Sequence, residues 1–381
     1  MESLPTEILH KIAAAITDGY SLQDGGYAMR CNLLGLSNLA LTCSGLRPIA
    51  QEQLVRAPIL RSDSPSSSPS GSFHSFMRAI NTLPQLKSKV ESISLEAKAP
   101  VDVPGLRNLP RVKTLELQMC IRNMSLMSLN LYTAPRKLEF QHIERLRFDS
   151  RIRSMNCDSI FFLMNFTMIL GGFTSLKHLE LYGEDYYDHI MDHGPAAFDS
   201  YIEFTRYETS LRTRSYPNLI TAMSPVHDQL ESLVLPRGFW TLYCNVLHPA
   251  AVFLPFTKLT HLDIPKEAVL GMGTVNRQRP WDEQWLYYEE NEITYPGNMT
   301  IPISSVSDPI MSIPASIHSL KVWNGDGMTV EWVEMLLQAK ERAFPELKEV
   351  TMVRGHGVDI YQEITAVMER AAALGVGFSI E

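Results

Sequence analysis

The sequence predicts an α/β protein in which a small all-helical module precedes a solenoid of parallel strands alternating with helices. Three observations predict it. An apolar triplet, spaced apolar-x-x-apolar-x-apolar, recurs from Val90 onward. Segments with helical periodicity lie between its copies. The segment 1–57 reads as three short helices. At 381 residues the chain exceeds what one compact core usually holds, so two domains or an elongated repeat array is expected.

The triplets are Val90/Ile93/Leu95, Val112/Leu115/Leu117, Ile143/Leu146/Phe148 and Leu176/Leu179/Leu181. They continue as Leu230/Leu233/Leu235, Leu259/Leu262/Ile264, Ile317/Leu320/Val322 and Leu347/Val350/Met352, with a worn copy at Phe378 and Ile380. The last two positions alternate, which is strand periodicity with one face buried. Two gaps between first positions, Leu176 to Leu230 and Leu259 to Ile317, are nearly double the others. Each therefore hides a degenerate repeat or a long insertion, near 184–215 and 266–314. With both halved, the mean step is about 29 residues. The repeat domain is assigned to 86–381.

Between the strands, Asp158 to Gly171 is apolar nearly all round and reads as a buried helix. Thr329 to Ala343 sets Val330, Val333, Leu336 and Leu337 on one face. Asp359 to Ala373 does the same with Ile360, Ile364, Val367 and Met368, and Asp359 is its N-cap. Two strands end in glycine pairs, Gly325/Gly327 and Gly355/Gly357, offset by the same step as the strands they follow. A dinucleotide loop would need a third glycine where Val330 stands, and Glu331 would oppose a phosphate. A repeated structural turn requiring positive φ is the expectation instead.

The L-x-x-L-x-L strands resemble a leucine-rich-repeat array, covering about Val90 to Glu381. That family's asparagine or cysteine after the strand is present as Cys120. Elsewhere the position holds Lys98, Arg151, Glu184, Gly238, Glu267, Gly325 and Gly355, so an irregular arc rich in insertions is expected.

At the amino terminus, Leu4-Pro5-Thr6-Glu7-Ile8-Leu9 opens a helix with proline in its first turn and an Ile8/Ile12/Ile16 stripe. Leu33 to Cys43 forms a second helix, and Arg47 to Val55 a third, led by Pro48. Three helices this short bury too little to stand comfortably alone, so docking is expected to stabilise them. The words L-P-x-E-I-L-x-x-I, L-x-x-L-A-L-T-C and L-R-x-I-A resemble the F-box motif, over about Leu4 to Arg56. The segment from Thr17 to Asn32 is longer than that family's usual connection.

The resemblance implies a substrate receptor of an SCF-type cullin–RING ubiquitin ligase. Leu4, Pro5, Ile8, Leu9 and Ile12, with Leu36, Leu39 and Leu41, would contact the SCF adaptor subunit and through it a cullin. The repeats would select a protein substrate. The alternative is a repeat scaffold with no ligase role. Residues 58–85 are read as a linker and capping helix, with a Ser/Pro-rich stretch at 62–72 that cannot pack.

Composition narrows the chemistry. The apolar share is 45% and the charged share 20%, ordinary globular values, and net charge is −8, which disfavours broad phosphate or nucleic-acid binding. Five scattered cysteines without a C-x-x-C pair support neither a zinc ribbon nor a disulfide framework. Three N-x-S/T sequons begin at Asn123, Asn165 and Asn298. No signal-peptide pattern and no apolar run long enough for a bilayer is seen, so a cytoplasmic or nuclear protein is expected. No hydrolase, metalloprotease, P-loop or EF-hand motif is present. His189 and His193 would share a helix face but lack a third ligand, and a solvated acidic loop is the better reading. No catalysis and no cofactor are expected.

Acids and aromatics gather in the two long gaps. Residues 184–208 carry a charge of −6 with Tyr186, Tyr187, Phe198, Tyr201, Phe204 and Tyr207. Residues 281–292 carry −5 with Trp281, Trp285, Tyr287 and Tyr288. Aromatic anchors ringed by charge are what interfaces use. Tyr186, Tyr187, Trp281, Trp285, Tyr287 and Tyr288 are therefore the candidate substrate contacts, facing a basic protein partner. The other reading makes these aromatics the core of degenerate repeats, with Ile202-Glu203-Phe204 as one strand.

Overall fold

The computed structural model describes residues 47–62, 72–97, 109–119, 140–150, 166–183, 216–236, 251–270, 308–355 and 361–381. They fall into two compact units, one ending at Gly183 and one beginning at Tyr216.

The first unit opens with helix α1 (Arg47–Arg56) and strand β1 (Ile59–Ser62). Helix α2 (Ser72–Thr82) follows, then strands β2 (Ser92–Ala97), β3 (Thr114–Met119), β4 (Arg145–Ser150) and β5 (His178–Gly183). All five strands are parallel and pair in sequence order. The second unit contains α3 (Tyr216–Ala222), β6 (Ser232–Val234), β7 (His261–Pro265), α4 (Lys266–Leu270) and α5 (Pro309–Ser312). It continues with β8 (Ser319–Gly325), α6 (Gly327–Gln338), α7 (Lys340–Ala343), β9 (Glu349–Arg354), α8 (Tyr361–Ala373) and β10 (Gly377–Ile380). Its strands are also parallel and in sequence order. The chain is thus α/β with parallel strands, as its periodicity predicts.

The triplet has a local cause. Its first residue closes a turn: Val112, Leu259, Ile317 and Leu347 each donate their N–H to the carbonyl three residues back. The next two N–H groups then converge on one carbonyl at the entrance of the preceding strand. Glu144 and Arg145 donate to Lys113, Lys177 and His178 to Glu144, and His318 and Ser319 to Thr260. The two unspecified positions of the motif are therefore backbone anchors, and the two apolar positions after them alternate inward.

Pairing puts these inward residues in register. Ile93, Leu115, Leu146 and Leu179 form one row and Leu95, Leu117, Phe148 and Leu181 the next. In the second unit Leu233, Leu262, Leu320, Val350 and Phe378 align, as do Ile264, Val322, Met352 and Ile380. Every residue of the eight full triplets is buried, none more than 5% exposed. Each such aliphatic side chain contributes about 1.5–3 kcal/mol on burial. Phe378 and Ile380 of the worn copy are only half-buried, since β10 has a partner on one side alone among the described strands.

Four expectations change. The long gap from Leu259 to Ile317 places no repeat strand in the sheet between its ends, because β7 pairs directly with β8. Gly325, Gly327 and Gly355 lack the positive φ expected of the turn glycines (Gly357 lies outside the described residues); it falls on Asn324, at +59°, and Gly325 serves another purpose. A Cβ on Gly325 would lie 2.6 Å from Met352 Cγ, so this turn needs glycine for space. On α8, Ile364 and Val367 are buried as expected, but Met368 is 47% exposed and Ala371 completes the stripe. Residues at i, i+3 and i+7 share a tighter arc than a fourth at i+4. Strand β1 is an addition: it lies inside the segment read as linker and capping helix, and Leu60 packs in register with Leu95.

Helix α2 lies within 58–85, and Val330, Val333, Leu336 and Leu337 of α6 are buried as their spacing requires. Asp326 caps α6 through a reciprocal pair of hydrogen bonds with Thr329, which fills the site a phosphate would use. The Ser/Pro stretch from 63 to 71, Ile360 and the proposed N-cap Asp359 lie outside the described residues. Among the described residues no helix is long and apolar enough to cross a membrane.

Candidate functional site

Strand alternation that buries one residue turns the next to the opposite face, and there polar side chains form their own rows. In the first unit Ser94, Glu116, Arg147 and Glu180 are cross-strand neighbours. Ser94 donates to Glu116 at 2.6 Å. Arg147, itself buried, lies 3.9 Å from Glu180 and sets its guanidinium 4.5 Å from the centre of the Tyr182 ring. Tyr182 donates to Glu180 at 3.3 Å, and Arg145 approaches the same carboxylate at 3.9 Å. Glu180 thus lies within ion-pair distance of two arginines, which offsets part of the cost of burying Arg147.

In the second unit the equivalent row is Asp263, Lys321, Thr351 and Ser379. Trp323 donates its indole N–H to Asp263, while Lys321 stacks 4.5 Å over the Trp323 ring and reaches Glu381. Thr351 and Ser379 share a 2.9 Å hydroxyl contact. Trp323 is half-buried, its polar edge tied and part of its ring open, which suits an anchor for a partner's side chain.

Just beyond the carboxyl ends of β7 and β8 sits a cluster of ionisable groups. Lys266 pairs with Asp326 at 2.5 Å, joining the start of α4 to the start of α6. Burial pushes Glu267 up to about 7; the Asp326 charge adds to this, while its own backbone N–H, Lys266 and the Asn324 amide oppose it. Asp326 moves the other way. Burial would raise it, but hydrogen bonds and charge from Lys266 and bonds from Thr329 hold it below the usual carboxylate range. Glu267 can take up or release a proton near neutrality, which few surface carboxylates do.

None of the site residues expected from the sequence is among the described ones. Leu4, Pro5, Ile8, Leu9, Ile12, Leu36, Leu39 and Leu41 precede residue 47, and Tyr186, Tyr187, Trp281, Trp285, Tyr287 and Tyr288 fall within 184–215 and 271–307. His189 and His193 lie there too. Among the described residues no group of three His, Cys, Asp or Glu could hold a metal. The Trp323 anchor and the Glu267 cluster were not anticipated. No spacing rule in the sequence marks them: Asp263–Trp323 and Lys266–Asp326 join neighbouring strands across the long gap, whereas Lys321–Glu381 spans two strand steps, although all three pairs are 60 residues apart. No family model, no curated protein and no solved structure matches the chain.

Proposed function

We propose that this chain is a substrate-recognition adaptor of an SCF-type cullin–RING E3 ubiquitin ligase, a non-catalytic subunit with an F-box-like amino terminus and a leucine-rich-repeat solenoid. The observation that carries the reading is the order of its motifs. L-P-x-E-I-L-x-x-I, L-x-x-L-A-L-T-C and L-R-x-I-A come first, and the L-x-x-L-x-L series follows. Supporting it, α1, the last of the three expected helices, runs straight into the parallel strands. The Arg56 carbonyl accepts from the Glu91 N–H at 2.8 Å, and the two side chains form an ion pair at 2.7 Å. The last of the three expected helices is thereby tied to the entrance of β2.

Leu4, Pro5, Ile8, Leu9, Ile12, Leu36, Leu39 and Leu41 bind the SCF adaptor subunit in this proposal, and a basic protein substrate is held by the acidic-aromatic segments. The test is co-purification of the full chain with the SCF adaptor. Wild type binds at about one to one; Leu9→Asp with Ile12→Asp abolishes the complex, because carboxylates buried unpaired in a docking face cost several kcal/mol. Unchanged binding by the double variant refutes the ligase role. The Trp323 anchor favours a second reading, a repeat scaffold that binds partners with no ligase. A substrate complex that forms while the adaptor never co-purifies selects it.

A further inference from the structure

Four side chains from three elements meet at the end of β8. Asn324 takes a left-handed backbone conformation, φ +59°, at an irregular step in the β8–β9 register. That places its amide against Glu267 and brings Asp326 round to cap α6. Lys266, adjacent to Glu267, is committed to Asp326 at 2.5 Å. Two carboxylates therefore compete for one ammonium group where α4 abuts α6.

We propose that Lys266, Glu267, Asn324 and Asp326 form a proton-sensitive latch. It holds α4 against α6 while Glu267 is protonated and loosens when Glu267 ionises. The remaining charged groups on the neighbouring elements are engaged elsewhere. Asp263 of β7 accepts from Trp323, and His261 contacts Thr260. Lys321 of β8 pairs with Glu381, Glu334 of α6 pairs with Arg370, and Glu331 is exposed. Among the described residues, the charges acting on Glu267 are thus Lys266 and Asp326. Ionisation leaves a second anion beside Asp326, which Lys266 neutralises only by releasing the first.

The direction in pH follows from linkage. Glu267 titrates near 4.5 when released and near 7 when held, so the hold is complete below about 4.5 and is lost as pH rises through 7. Hydrogen exchange of the full chain, corrected for intrinsic rates, reads this in the peptide covering Lys266–Leu270. Protection should fall about tenfold per pH unit between roughly 5 and 7 and level off above. Glu267→Gln, which keeps an amide partner for Asn324, should remove the dependence and leave protection high. Asp326→Asn, which removes the competing anion and frees Lys266, should move the levelling point to lower pH. A flat wild-type profile, the same slope in Glu267→Gln, or an unmoved levelling point in Asp326→Asn overturns the latch. None of these readouts depends on the ligase proposal.

Discussion

Gly325 is the residue whose side chain, or lack of one, is most tightly specified. Its nearest neighbours at the Cβ position are Met352 Cγ at 2.6 Å and Sδ at 2.8 Å, and Met352 is fully buried. The close approach brings the Gly355 N–H within 3.0 Å of the Gly325 carbonyl, linking the ends of β8 and β9. Gly325→Ala should destabilise the protein by about 1–3 kcal/mol, the usual range for overpacking. Denaturant titration of Gly325→Ala, Met352→Ala and the double variant checks the cause. If space is the constraint, the cost of the alanine largely vanishes in the Met352→Ala background, and additive costs would show that backbone conformation matters instead.

Each strand packs its apolar residues on one face and its polar ones on the other, and that makes its two faces unequal. Leu146, Leu262 and Leu320 sit at most 2% exposed in rows continued by their neighbours. Leu→Ala at any of them should cost about 2–5 kcal/mol, seen as a lower denaturation midpoint at unchanged slope. On the opposite face the Lys321–Glu381 pair is 27% and 55% exposed, so Lys321→Ala should cost less than about 1 kcal/mol. Equal losses on both faces would mean the register is misassigned. The helices divide in the same way: α6 buries Trp332, Val333, Leu336 and Leu337 and is capped by Asp326, whereas α8 leaves Met368 in solvent.

Over the whole chain the charge is −8, while the two acidic-aromatic segments carry −11 between them and the remainder +3. On the proposed function these segments steer a basic substrate by long-range attraction, and the aromatics supply the contact energy. Substrate affinity should then fall as salt rises, since exposed charges are screened over about 8–10 Å near physiological ionic strength. Changing Tyr186, Tyr187 and Trp285 together to Ala should weaken binding at every salt concentration. An acidic substrate, or an affinity indifferent to both salt and these aromatics, contradicts the assignment of the substrate surface.

The strands were legible in the sequence because one face of each is buried, and burial imposes a period of two on the residues. Nine of the ten strands announce themselves in this way, and the turn residue of each full triplet marks where its strand begins. Strand β1 did not, since only Leu60 of its four residues is known to be buried and an edge strand needs no repeated pattern. The long gap between β7 and β8 was ambiguous for a related reason: a doubled gap looks alike whether or not it adds a strand to the sheet, and only direct pairing of Leu262 with Leu320 decides. The polar cluster was hidden more thoroughly. Lys266, Glu267, Asn324 and Asp326 belong to no motif, and a charge is unremarkable until its neighbours and its burial are known. Periodicity is a local property that the chain carries with it. The meeting of Glu267 with Asn324 and Asp326, far along the chain across the long gap, exists only once β7 and β8 lie side by side, so the tertiary structure alone determines where its proton is held.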